Sequence, residues 1–471
     1  MNKKSTIYNR RRFLQVVGAG GAALGMSRWA ALGEESRGKA VTGRKPNIVF
    51  IMIDDLGWRD VGFMGSRYFE TPQIDKLARE GVVFTSAYSN GPNCAPTRAS
   101  FLTGQYSPRH KVFTVGTASR GASRNRKLIP VKNTLAIAGG TLTLPKALKK
   151  AGYVSCILGK AHGHNKEDFD YAPAPGKNRK QRDQDPKQVY TYTKLANEFI
   201  EENKDRPFFL YLSHHAVHTR IEAKPETVAK YETKQGSSGQ HHPKYAALVE
   251  HVDDSVGAVM GQLERLGLRD NTMVVFFSDN GGHVAFTSMA PLRGSKGTMY
   301  EGGIRVPMVV RWPGVAQAGT RCETPVIGID FFPTFLETAG LPPPANHVLD
   351  GESIVPLLKG QANWSRKEIY WHFPAYLESY DKEKQGNWRS TPWSAVRQGD
   401  YKLIEFFEDG HLELYNLKDN IGERKNLVKA QPEKVKDLHA LLKRWRASVQ
   451  APVPTERNPE YKPEETADAR R

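Results

Sequence analysis

Residues 94–98 read Cys-Ala-Pro-Thr-Arg and run on into Ala-Ser-Phe-Leu-Thr-Gly. An Asn-Gly-Pro-Asn loop precedes them, and Pro96 fits the first turn of a helix, where a missing N–H costs little. The spacing therefore predicts a helix that starts at Cys94, with backbone N–H groups aimed at an anion beside the sulfur. Arg98, one turn on, can bring a planar guanidinium to the same anion. A reactive side chain and an oxyanion site thus fall together. Taken alone, a Cys at a helix start is as often a small buried hydrophobe, so its partners elsewhere in the chain decide.

Those partners need elements to position them. Short apolar runs at 47–53, 153–158, 208–213, 272–278 and 306–311 alternate with helical patterns at 144–150 and 245–266. Leu248, Val252, Val256, Met260 and Leu263 give the second helix its apolar stripe. This alternation predicts an α/β fold with a large, mostly parallel sheet sandwiched by helices. In such sheets, ligands bind beyond the carboxyl ends of the strands. Asp54-Asp55, Gly159-Lys160-Ala161-His162, His214-His215-Ala216-Val217-His218 and Asp279-Asn280-Gly281-Gly282 all stand at that edge. A lone Asp pair at a strand end is commonly a turn or cap. Joined to Asp279-Asn280 and Cys94, it reads as a metal site. Three carboxylates and an amide suit a calcium-type cation and poorly suit zinc, which takes His or Cys.

Cys-x-Pro-[Ser/Thr]-Arg at 94–98 resembles the signature of the type I sulfatases, of the alkaline phosphatase superfamily. Gly159-Lys160-Ala161-His162 is similar to that family's G-K-x-H element, and Arg293-Gly294-Ser295-Lys296-Gly297 to its R-G-x-K-G element. His218 matches the last histidine of its H-x-x-H element. The resemblance spans roughly residues 45–341 and continues more faintly through 395–403 and 413–417. Thr97 stands where Ser is common and Ser295 where Gly is frequent; neither change removes a reactive group.

The resemblance implies an alkaline phosphatase-like fold with a smaller C-terminal antiparallel sheet plus helix. It also implies that a formylglycine-generating enzyme oxidises Cys94 to formylglycine. One hydroxyl of the hydrated aldehyde attacks sulfur, and the second lets the adduct collapse and eject sulfate. By the same analogy, Asp54, Asp55, Asp279, Asn280 and the modified Cys94 surround one calcium ion. Arg98, Lys160 and Lys296 neutralise the sulfate, His162 takes a proton from the hydrate, and His218 protonates the leaving alcohol. His283 is a candidate substrate contact, and His164, His214 and His215 match no required position. Trp371, His372, Trp388 and Trp393 could form a sugar subsite or simply pack a core.

At 471 residues the chain exceeds the usual single core and predicts two domains, a catalytic one over 45–345 and an α+β one over 346–450. The second should hold a hairpin turned at Asp409-Gly410 and a helix opened by Pro432. Residues 451–471, rich in Pro and charge, are expected to be disordered. Arg10-Arg11-Arg12-Phe13-Leu14 and the apolar stretch after it resemble a twin-arginine signal over 1–40. They predict export of the folded protein by that machinery, to the periplasm or beyond, so modification of Cys94 could come first. No apolar run is long enough to span a bilayer. Residues 1–39 carry eight Lys/Arg against two Glu, leaving +12 of the total +18 on the rest. That balance suits an anionic substrate, and no nucleic-acid module accompanies it. Only Cys94, Cys156 and Cys322 are present, and a Cys156–Cys322 bridge stays open.

The leading expectation is a calcium-dependent sulfatase acting on a sulfated carbohydrate or aryl sulfate. Two alternatives stand beside it: a phosphonate or phosphate monoester hydrolase of the same superfamily, and a non-catalytic binder of sulfated glycans.

Overall fold

The computed structural model describes residues 44–176, 184–361 and 364–462; the expected leader lies outside them. β1 (Asn47–Ile53) is buried along its whole length, as a central strand between two helical layers must be. Its side chains alternate: Val49, Ile51 and Ile53 enter one core, and Ile48, Phe50 and Met52 the other. There follow α1 (Pro72–Arg79), β2 (Val82–Phe84), α2 (Cys94–Thr103), α3 (Leu144–Lys149) and β3 (Val154–Gly159). Next come α4 (Val189–Glu202), β4 (Phe208–Ser213), α5 (Pro243–Arg265), β5 (Thr272–Ser278), β6 (Met308–Arg311), β7 (Thr320–Cys322) and α6 (Phe331–Thr338).

The seven strands form one sheet in the order β3-β4-β1-β5-β6-β2-β7. β3, β4, β1 and β5 run parallel, so their carboxyl ends share an edge. β6 opposes both β5 and β2, and β7 runs parallel to β2. α1, α4 and α5 cover one face, with Leu248, Val252 and Val256 of α5 buried as the apolar stripe requires. α2, α3 and α6 cover the other, where the Phe101 ring stacks on Phe50 at 4.2 Å between centroids. Cys156 and Cys322 are both free thiols. They lie on β3 and β7, the opposite edges of the sheet, so the bridge is ruled out.

The C-terminal sheet is antiparallel, in the order β8 (Glu368–Phe373), β9 (Trp393–Gln398), β10 (Tyr401–Phe406), β11 (Leu412–Asn416). α7 (Pro432–Ser448) lays Leu438, Leu442 and Trp445 against it. Its core is separate from the two around the large sheet and also takes in Tyr88, Tyr106, Ile304 and Ile327 from the first part of the chain. Trp371, Trp393 and His372 belong to this interior, at 1%, 0% and 3% exposure, and form no sugar subsite. His372 Nε2 donates to the Pro452 carbonyl at 2.9 Å.

That bond begins a strap which corrects the expectation of disorder from residue 451. Residues 456–462 lie along the loop 123–129. Ile129 N donates to Glu456 O at 2.9 Å, Asn458 N to Lys127 O at 3.0 Å and Lys462 N to Arg124 O at 2.8 Å. The backbone there finds partners that composition cannot reveal. Residues 463–471 lie outside the described part. Among the described residues, no helix is long and apolar enough to cross a membrane.

A buried charge cluster welds the two sheets together. Lys402 Nζ on β10 meets Glu301 at 3.1 Å and Glu423 at 2.9 Å, with all three side chains fully buried. Arg305 and Tyr88 also bond Glu301, at 3.1 and 2.7 Å. Lys402→Met would leave Glu423 buried without a cation and Glu301 with Arg305 alone, a loss of about 3–5 kcal/mol. A markedly lower Tm is expected, and Lys402→Met/Glu423→Gln, which leaves Glu301 to Arg305, should regain much of it; equal Tm for all three proteins would refute the cluster's role.

Candidate active site

Four parallel strand ends deliver the reactive groups. Asp54 and Asp55 follow β1 at once, each 1% exposed. In extended backbone, neighbouring side chains point to opposite faces. Asp55 breaks that alternation with a left-handed φ of 66°, which Asp tolerates better than most residues. Both carboxylates thus reach one site, where Asp54 Oδ2 meets Lys160 Nζ and Asp55 Oδ2 meets Lys296 Nζ at 2.5 Å. Lys160 follows Gly159, whose φ is 98° and whose Cβ, were there one, would lie 2.1 Å from the Ser213 carbonyl. Only glycine lets β3 and β4 close there. β5 delivers Asp279 and Asn280, both fully buried. Asn280 Nδ2 donates to Asp55 Oδ1 at 2.8 Å, and the Asp55 N–H donates to Asp279 Oδ1 at 3.1 Å.

α2 starts at Cys94 after an extended Asn93, and all ten of its residues are buried. One helical turn places Arg98 behind Cys94. Arg98 Nη2 lies 2.7 Å from Asp279 Oδ2, and its Nη1 donates to Tyr211 Oη at 3.2 Å and to Ser213 Oγ. The guanidinium therefore contributes its charge from beneath the site, with Nε and Nη1 committed to protein and Nη2 in ion-pair contact with Asp279. Cys94 Sγ lies 3.7 Å from His162 Nδ1. His218 Nε2 lies 3.7 Å from Asp55 Oδ2, and its Nδ1 donates to the Thr219 carbonyl at 2.7 Å. All ten expected residues thus converge, and above them opens a cavity of about 230 Å³ whose lining includes Asn93, His218, His283 and Lys296. A hollow of about 550 Å³ along Tyr190 and Glu201 is larger but carries none of these groups.

Burial and crowding set the electrostatics. Burial pushes the Cys94 thiol up in spite of Lys160, so the unmodified sulfur stays protonated and a poor nucleophile. Burial, with Lys160 and Arg98, holds His162 down near about 4, neutral and able to accept a proton. Burial opposes ionisation of Asp54, but Lys160, His218, Arg98 and Lys296 outweigh it and keep the carboxyl well below its usual range. Burial lifts Asp279 to about 6; Arg98 pulls it down, while Asp54 and Asp55 add like-charge repulsion.

A cation would relieve that crowding. Asp54 Oδ1 and Asn280 Oδ1 are buried acceptors without a hydrogen-bond partner among the described residues. Single ligand atoms of Asp54, Cys94 and Asp279 lie within 4.8 Å of one another, as do those of Asp54, Asp55 and His218. Orphaned oxygens in an oxygen-rich set fit a hard divalent ion such as calcium.

The remaining histidines divide. His283 lines the cavity, whereas His214 Nε2 pairs with Ser255 Oγ on α5 at 3.0 Å. His164 is buried beside Phe169 and Tyr211, and His215 packs against Tyr192. Sequence reasoning missed Tyr211 and Ser213, which seat Arg98, and Arg120, Tyr380 and Arg389, which line the cavity. The β4 position of Tyr211 and Ser213 was the available signal for the first pair; no motif marks the other three.

Fold and site together define a hydrolase for esters of a tetrahedral oxyanion. The Sulfatase family profile matches residues 46–341, and that of the N-sulphoglucosamine sulphohydrolase C-terminal region matches 295–449. A protein named sulfatase from Formosa agariphila is 33% identical, over 84% of this chain and 87% of its own. The N-acetylgalactosamine-6-sulfatase of Mus musculus is 34% identical over 67% of each chain. Among solved structures, Ps i-CgsB superposes with a TM-score of 0.72 at 28% identity, over 88% of this chain and 95% of that one. A phosphonate monoester hydrolase from Agrobacterium radiobacter, at 20% identity, 86% and 96% coverage and a TM-score of 0.65, shares the fold. The chain belongs to the sulfatase family of the alkaline phosphatase superfamily and is a sulfuric ester hydrolase. A purely glycan-binding role is thereby set aside.

Calcium added at a hundred times its Kd to the EDTA-treated full chain should stabilise it by about 2.7 kcal/mol, read as a rise in Tm. Asp54→Asn should blunt the response. A Tm indifferent to calcium would speak against the cation.

Proposed function

We propose that this protein removes sulfate from a sulfated carbohydrate, using formylglycine made from Cys94 and one calcium ion. The observation that carries the reading is the placement of Cys94, at a helix N-terminus and against oxygen ligands, two lysines and a neutral histidine. Similar proteins support the substrate class: N-acetylgalactosamine-6-sulfatases are among the relatives, and Ps i-CgsB has also been solved with k-i-k-neocarrahexaose.

Asp54, Asp55, Asp279 and Asn280 would hold the calcium, with the modified residue 94 beside it. Bound there, the ion supplies Lewis-acid polarisation, and the hydrated aldehyde supplies an oxygen nucleophile where a thiol cannot serve. The chain's own groups do the rest. Lys160 and Lys296 offset the charge of the sulfate, and Arg98 reinforces them from below. His162, kept neutral by burial and the neighbouring cations, accepts a proton at Nδ1. His218 keeps its Nδ1–H on Thr219 O, so it would serve the leaving alcohol through Nε2, and only as the imidazolium, with Asp55 Oδ2 3.7 Å away to favour that charge. The residues 10–14 motif supports export by the twin-arginine pathway, with Cys94 modified beforehand by a formylglycine-generating enzyme.

Mass spectrometry of the Cys94 peptide from natively produced protein should find an aldehyde that reacts with hydrazide; only thiol would overturn the proposal. Cys94→Ala should lower turnover of 4-nitrophenyl sulfate by at least roughly a thousandfold, at unchanged Tm. Faster hydrolysis of 4-nitrophenyl phosphate than of the sulfate would instead favour phosphoester chemistry.

A further inference from the structure

Two arginines that the catalytic constellation does not use stand in its cavity. Arg120 comes from the loop after α2, and Arg389 from the C-terminal part of the chain; both line the cavity that holds His218 and Lys296. The Arg389 guanidinium lies 3.6 Å over the Tyr380 ring. Its Nε donates to the Glu378 carbonyl at 2.6 Å and its Nη1 to the Lys296 carbonyl at 3.3 Å. Arg120 Nη2 donates to the Val115 carbonyl. Among the described residues, neither guanidinium pairs with a carboxylate. Several arginines elsewhere do, Arg98 with Asp279, Arg305 with Glu301 and Arg366 with Asp330, whereas the buried Arg397 makes do with Tyr88 Oη and the Gly399 carbonyl. Among the described residues, no Asp or Glu lines the cavity.

Two unneutralised guanidiniums in one half-buried cavity repel each other. Burial and, less strongly, the charge of Arg120 pull the Arg389 pKa down, partly offset by Tyr380 and by the more distant Asp55. Such an arrangement persists at a cost unless something anionic enters. A guanidinium has five N–H donors, and carbonyls occupy two of those on Arg389, leaving planar donor edges suited to an oxyanion. The sulfate under attack already has Lys160 and Lys296. Arg389 is also built against the catalytic loop. Gly297, next to Lys296, has φ 91°, and a Cβ there would lie 2.8 Å from Arg389 Nη1. A side chain at 297 would crowd the end of the guanidinium where it now lies.

We propose that Arg120 and Arg389 form a second oxyanion site. It reads a sulfate or carboxylate on the sugar ring next to the one losing its sulfate, and it rests on the sulfatase reading above. The preferred substrate is then a carbohydrate with anionic groups on adjacent rings, and Tyr380, 41% exposed, offers an apolar surface beside the pair.

The test is calorimetric binding to the calcium-supplied full-length Cys94→Ala chain, which cannot turn substrate over. Three disaccharides of one backbone serve as probes: one with a single sulfate, one with a second sulfate on the neighbouring ring, and one with a uronic carboxylate there. At least one dianion should bind about tenfold or more tightly than the monosulfate, and which one does so identifies the second anion. In Cys94→Ala/Arg120→Gln/Arg389→Gln that ratio should fall to about one. Should the triple variant fail to fold, Cys94→Ala/Arg120→Gln alone should lower the ratio. Equal binding of all three probes, no binding of any, or a preference that survives loss of the arginines would overturn the site. Failure of the sulfatase reading would show separately, as no sulfate release by the Cys94-bearing chain from any of the three.

Discussion

The Arg98–Asp279 pair is the contact on which the site is built. Both side chains are fully buried, so each ion persists only because the other is at hand. The pair ties the first turn of α2 to the carboxyl end of β5 and so sets where Cys94 stands relative to Asp54 and Asp55. Lys160 and Lys296 then balance the carboxylates that Arg98 does not reach. Positive and negative groups are nearly matched within the protein, while two acceptor oxygens remain without partners. A site so arranged is preorganised: its dipoles and charges are in place before a substrate arrives and need little rearrangement during reaction.

The second sheet serves this arrangement rather than standing apart from it. Glu301 opens the short helix just after the Lys296 loop and is clasped by Lys402 from β10 and by Arg305. The loop that carries Lys296 is thereby fastened at its far end to the C-terminal part of the chain. The same part supplies Leu377, Tyr380 and Arg389 to the cavity wall. One region thus provides both the anchor for the Lys296 loop and part of the cavity wall above it.

What could be read from the sequence follows from what leaves a local trace. Strands buried on both faces appear as unbroken apolar runs, so β1, β4 and β5 were legible to the residue, and with them the strand ends that hold Asp54, His218 and Asp279. Pro96 marked the start of α2, and Pro432 that of α7. By contrast, the left-handed turn at Asp55 has no signature of its own. Composition could not tell the interior Trp371 and Trp393 from an aromatic platform, because a ring looks the same in either place. The change of pattern after Gly340 marks where the second part begins, but no local trace shows that Tyr88 and Tyr106 from the first part join its core. Arg120 and Arg389 meet only through tertiary folding, and nothing adjacent to either announces the other.

The strap over residues 451–462 has a consequence for the order in which the molecule is made. Asn458 Nδ2 donates to the carbonyls of Ser123 and Arg126, and Arg126 Nη1 in turn holds the Arg120 carbonyl at 3.2 Å. Chains leave the ribosome N-terminus first. Every strand of the large sheet is therefore out before the segment that braces Arg120 exists. During synthesis the residues of the site's floor emerge well before the segment that braces one side of its doorway.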